Sequence, residues 1–86
     1  MLETTKFIGY VDLAKISQID KFLKIVNKYK DNYTLKHGRF LVDAKSILGI
    51  FTLDLDNKIE LYSDKISLDV AELQIELEEA NILTRE

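Results

Sequence analysis

At 86 residues the chain has room for one domain and one core, and a domain of this size buries only about 60–65% of the surface its unfolded chain exposes. The absence of cysteine excludes a disulfide framework and a thiolate metal site, so an apolar core must hold the fold. A formal charge of -3 argues against a nucleic-acid partner, while 47% hydrophobic and 31% charged residues suit a globular domain rather than a disordered tail.

Residues 1–6, Met1-Leu2-Glu3-Thr4-Thr5-Lys6, lack the basic start and apolar stretch of a secretory signal. No apolar run approaches membrane-spanning length, so a cytoplasmic location without membrane insertion is expected. There is no repeat, no low-complexity tract and no linker, and the whole chain, 1–86, reads as one domain. Lys6-Phe7-Ile8-Gly9-Tyr10-Val11 is aromatic and β-branched and suits a strand, but Phe7/Val11 and Ile8/Tyr10 compete for the inward face and leave its register open.

Ser17-Gln18-Ile19-Asp20 has the form of a helix start, the serine as cap and the aspartate near the positive end of the dipole. Ile19, Phe22, Leu23, Val26 and Tyr29 then make an apolar stripe, with Lys21, Lys24 and Lys28 on another face. Tyr33 and Leu35 alternate with Thr34 and Lys36 before a turn at His37-Gly38 and the run Phe40-Leu41-Val42, which predicts a hairpin. Ser46 is placed to cap a short helix over residues 47–53 that is apolar on most of its surface. A turn over 54–58, a strand around Ile59 and Leu61, and a last helix capped by Ser67 or Asp69, with Val70, Leu73, Leu77 and Ala80 on one face, complete the order β-α-β-β-α-β-α. That order favours an α+β fold, a mainly antiparallel sheet with helices on one face.

The same order, together with Asp43-Ala44-Lys45-Ser46-Ile47-Leu48-Gly49-Ile50, resembles the HPr family, the phosphocarriers of the bacterial sugar phosphotransferase system. Lys45-Ser46-Ile47-Leu48-Gly49 carries most of the likeness. Lys28-Tyr29 falls where the family often ends its first helix, and Leu77-Glu78-Glu79 resembles a common string in its last. The resemblance implies an open-faced sandwich, a four-stranded antiparallel sheet covered by three helices. It also implies two phosphorylation positions: a histidine before the first helix that relays phosphate from enzyme I to the sugar-specific proteins, and a serine at the start of the middle helix that an ATP-dependent kinase modifies in many Gram-positive relatives.

The family's histidine site usually reads Gly-(Leu or Ile)-His-Ala-Arg-Pro-Ala, and the matching stretch here is Asp12-Leu13-Ala14-Lys15-Ile16-Ser17-Gln18-Ile19. Lys15 occupies the phosphohistidine position. An imidazole offers a neutral nucleophilic nitrogen near pH 7, whereas lysine, with a reference pKa of about 10.4, stays protonated and has no lone pair to give. The assisting arginine and the proline are replaced too, by Ser17 and Gln18, so no catalysis through this position is expected. Lys15 then reads as a functional replacement, as a cation that contacts an acidic partner, or, by default, as a drifted surface residue. His37, the only histidine, is expected to be a turn residue.

Ser46 keeps its family surroundings. A phosphate there would carry about -1.5 to -2 charge, beside Lys45 and facing helix amides, and would alter recognition without unfolding the domain. Gly38-Arg39, however, stands one residue further from Lys45 than the family spacing puts a glycine and a basic residue. Around Ser46, the expected partner-binding residues are Lys15, Lys45, Ile47, Leu48 and Phe51, with burial in the core as the default for most of the apolar ones. Lys21, Lys24 and Lys28, like Glu72, Glu76 and Glu79, read as solvated helix faces. No metal-ligand cluster, cofactor loop or catalytic triad pattern is present. The reading is a non-catalytic HPr-like protein that binds partners of the sugar phosphotransferase or carbon-regulation network, possible regulation being phosphorylation at Ser46. The alternatives are an active phosphocarrier that uses a non-standard residue, and an HPr fold reused for an unrelated interaction.

Overall fold

A computed structural model describes residues 6–86, with elements β1 (Lys6–Val11), α1 (Ile16–Val26), β2 (Tyr33–His37), β3 (Phe40–Asp43), α2 (Ile47–Ile50), β4 (Ile59–Ser63), α3 (Leu68–Glu79) and β5 (Leu83–Thr84). Residues 1–5, on which the reading of the amino-terminal segment largely falls, lie outside the described residues. The order is the expected one as far as α3, and every strand pair is antiparallel. The sheet has five strands, ordered β3-β2-β4-β1-β5, which corrects the expected four.

The fifth strand follows from the way α3 ends. Asn81 adopts φ 61°, the left-handed conformation that stops a helix, while its N–H donates to the Glu78 carbonyl and the Ile82 N–H to that of Leu77, both at 3.0 Å. This is a Schellman closure, and it turns the chain back along β1, where Val11 faces Leu83 and Tyr10 faces Thr84. A two-residue strand leaves no periodicity to read in the sequence.

A bulge at Ile8 resolves the facing of β1. Phe7 pairs with Tyr62 and Gly9 with Leu61, so one extra residue interrupts the alternation. Ile8 and Val11 therefore both enter the core, while Phe7 and Tyr10 lie together on the other face of the sheet, their rings 5.3 Å apart. Gly9 permits the close approach of β5: a Cβ there would stand 2.7 Å from the Thr84 carbonyl oxygen.

The core is one cluster that joins Phe22 and Val26 of α1, Ile50 of α2 and Leu73 and Leu77 of α3 to Tyr33 and Leu35 of β2 and Ile59 and Leu61 of β4. Helix α1 begins earlier than its serine suggests. Lys15 is the N-cap and makes no side-chain cap bond, and Ser17 lies inside the helix. The start is fixed instead by Leu13, fully buried, and by the Asp12 carboxylate, which accepts the Ala14 N–H at 3.1 Å. Asp20 consequently sits beyond the first turn and pairs with Lys24 at 3.2 Å, an exposed contact worth about 0.3–0.5 kcal/mol.

The hairpin turn is Gly38-Arg39, and His37 is the last residue of β2, paired with Phe40, rather than a turn residue. Gly38 takes φ 62°, which a two-residue hairpin demands of its first central position. Helix α2 is a single turn over residues 47–50, shorter than the expected 47–53. After Phe51 the Thr52 hydroxyl donates to the Gly49 carbonyl at 2.6 Å and the chain turns inward to bury Leu53.

Candidate partner-binding site

Two helix starts carry the residues of interest, and each is held by a different device. At α1, Lys15 is extended, with φ -113° and ψ 143°, and its carbonyl accepts the N–H groups of Gln18 and Ile19 at 3.0 and 3.1 Å. Its side chain is exposed, as is that of the following Ile16. An exposed ammonium at the beginning of a helix gains nothing from the dipole there, so the local structure gives no reason for a cation at this position.

At α2, Ser46 is the cap that its sequence suggests, its Oγ accepting the Gly49 N–H at 3.1 Å. A cap of this kind contributes about 1 kcal/mol. Gly49 brings the turn close against β3, where an added Cβ would lie 3.1 Å from Cβ of Val42. With one face against the sheet, the single turn buries only Ile50. Ile47, Leu48 and Phe51 remain 49%, 78% and 51% exposed, which corrects the default expectation of burial for most of the apolar residues here. Three large apolar side chains on and beside one helical turn, next to a half-buried serine hydroxyl, form a patch of the type that meets a partner surface.

Lys45 turns away from that patch. Its ammonium donates to the Tyr29 carbonyl at 2.6 Å and lies 5.5 Å from the centroid of the Tyr33 ring. Tyr29 lies past the carboxyl end of α1, and Lys15 caps the start of that 11-residue helix, a span of roughly 16 Å. The structure therefore does not bring Lys15 and Lys45 together as a single cationic surface.

The sequence missed a network between α3 and the segment that follows α1. Glu76, expected on a solvated face, is half-buried and accepts hydrogen bonds from the Lys28 ammonium and the Tyr29 hydroxyl. These donors hold its carboxyl below the usual carboxylate range, while burial and the neighbouring carboxylate push the Tyr29 phenol up. Nothing in the spacing of either polar stripe pairs Lys28 with Glu76, 48 residues away in the chain. Glu72 and Glu79 are exposed, as expected.

Among the described residues no group of three or more His, Asp or Glu side chains could hold a metal ion, and no helix is long and apolar enough to cross a membrane. An open hollow of about 360 Å³ is lined by Asn32, Tyr33, Thr34, Leu41, Val42 and Asp43. No family model, curated protein or solved structure matches the chain.

Proposed function

We propose that the chain is a non-catalytic HPr-like protein that acts by binding protein partners of the sugar phosphotransferase or carbon-regulation network in the cytoplasm, with phosphorylation of Ser46 as its switch. The observation that carries the reading is the exposed trio Ile47, Leu48 and Phe51 around a serine that caps the same turn. The order of elements through α3 supports it, and β5 is an addition to the four strands that the resemblance implies. Lys15 is exposed and puts an aliphatic amine where the relay chemistry uses an imidazole, which argues against a phosphocarrier role at this position. A phosphate on Ser46 would add about -1.5 to -2 charge at the rim of the apolar patch and so change which surfaces can dock there.

Intact-mass measurement tests both halves. Incubation with ATP and an HPr kinase is expected to add one phosphate to the native chain and none to Ser46→Ala; no addition to either removes the switch. Incubation with phosphoenolpyruvate and enzyme I is expected to leave the mass unchanged, and an acid-labile phosphate would establish the carrier reading in its place. No phosphate from either incubation, with no binding to carbon-control partners, would mean that the fold serves another interaction.

A further inference from the structure

Strand β3 has a neighbour on one side only, since it ends the sheet beside β2. Its first two side chains are bare: Phe40 is 62% and Leu41 58% exposed. Edges are ordinarily blunted by a proline, a bulge or a central charge, and Phe40-Leu41-Val42 has none of these. The charges lie at its two ends, Arg39 in the turn and Asp43 at the close of the strand.

The hairpin register fixes which backbone groups face outward. His37 and Phe40 flank the two-residue turn and so exchange hydrogen bonds; alternation gives the same to Leu35 and Val42, and the Ala44 N–H duly donates to the Tyr33 carbonyl at 2.9 Å. Phe40 and Val42 thus spend their amides on β2. Leu41 turns its N–H and C=O to the free edge, and Asp43 its N–H, the Asp43 carbonyl being taken by the Ser46 N–H.

We propose that a second copy of this chain docks on that edge, the two β3 strands pairing antiparallel about a two-fold axis at Leu41. In this register the Leu41 amide and carbonyl bond to their own counterparts, Phe40 lies opposite Val42, and Arg39 lies opposite Asp43 twice over. Axes at Phe40 or at Val42 also use the outward backbone groups, but they set Arg39 or Asp43 against the apolar Leu41. Charge complementarity therefore selects the central register. Among the described residues Arg39 makes no ion pair, so it is available for the contact. A four-residue edge is a small interface, and the association is weak.

Sedimentation velocity from micromolar to millimolar concentration tests the pairing. The native chain should show a sedimentation coefficient that rises with concentration, and Arg39→Glu and Asp43→Lys should each weaken self-association about tenfold by setting like charges opposite one another. An equimolar mixture of the two variants should associate again, because each introduced charge then meets the opposite introduced charge across the axis, while the native Asp43 of one copy meets the native Arg39 of the other. A native chain that stays monomeric to millimolar concentration overturns the proposal, as does association that survives both changes or a mixture that fails to recover. Asp43 also accepts the Lys45 N–H at 2.9 Å, so folding of its variant is checked by circular dichroism. If that variant does not fold, Arg39→Glu alone decides.

Discussion

Replacing Gly9 with alanine is expected to destabilise the domain by about 2–3 kcal/mol, because the added methyl meets backbone and not a yielding side chain. It would stand 2.7 Å from the Thr84 carbonyl oxygen and 3.1–3.2 Å from Cδ1 and Cγ of Leu83, and φ at Gly9 is +157°, which L side chains rarely adopt. Strand β5 must retreat. If it leaves β1 it gives up the burial of Leu83, 4% exposed, worth about 1.5–3 kcal/mol at most, while the backbone strain adds about 1 kcal/mol where β5 holds on. For a domain of this size that is a fall in Tm of roughly 8–24 °C. Thermal and urea unfolding of Gly9→Ala measure it, and the same substitution in a chain shortened to end at Leu83 supplies the control, because the Thr84 oxygen is then gone. The cost should shrink in the shortened chain. A Gly9→Ala variant within about 0.5 kcal/mol of its parent in the full chain would refute the account of the close approach.

The other expectations concern charge, burial and the exposed patch. Glu76→Gln should lower stability at pH 7 by about 1 kcal/mol through its weakened bonds to Lys28 and Tyr29. Because the folded-state pKa of Glu76 is lowered, its contribution is complete above the unfolded carboxyl value of about 4.3 and fades as pH falls through the folded value, so urea midpoints of variant and parent should converge in acid. Tyr33 buries a hydroxyl that has no hydrogen-bond partner, so Tyr33→Phe should be neutral or stabilising by about 1 kcal/mol in the same assay; a loss above about 1 kcal/mol would show that the hydroxyl is satisfied. Burial pushes the Tyr33 phenol up to about 12, and the Glu60 carboxylate that accepts from Tyr62 does the same there, so the fold loses stability as pH rises from about 10 toward 12 and the unfolded phenols ionise first, readable as late ionisation at 295 nm. Leu48→Asp, at a side chain 78% exposed, should change stability by less than about 0.5 kcal/mol while abolishing partner capture, and an unfolded variant would return Leu48 to the core.

The elements with strong periodicity were legible in the sequence. Ile19, Phe22 and Val26 are buried on α1, Val70, Leu73 and Leu77 on α3, and Ser46 and Ser67 cap their helices as their positions suggest. What escaped depended on contacts distant in the chain. The phase of β1 changes at Ile8 because of the strand beside it, and no period-2 pattern can announce a bulge. Ser17 offers better capping chemistry than Lys15, yet Leu13 is pinned in the core and the helix starts from there. At the candidate site, Ser46 was readable from local chemistry, but the exposure of Ile47, Leu48 and Phe51 and the diversion of Lys45 to Tyr29 were set by how a single turn rests on β3.

Strand β1 is translated first, yet both of its neighbours come much later, Ser63 opposite Lys6 and Leu83 opposite Val11. On a ribosome the middle of the sheet cannot assemble until β4 has cleared the exit tunnel, and the β2–β3 hairpin must wait in the meantime with its apolar residues uncovered. The nascent chain therefore passes through a long interval as an incomplete sheet, and that is the stage at which slowed synthesis or a holdase would act on its yield.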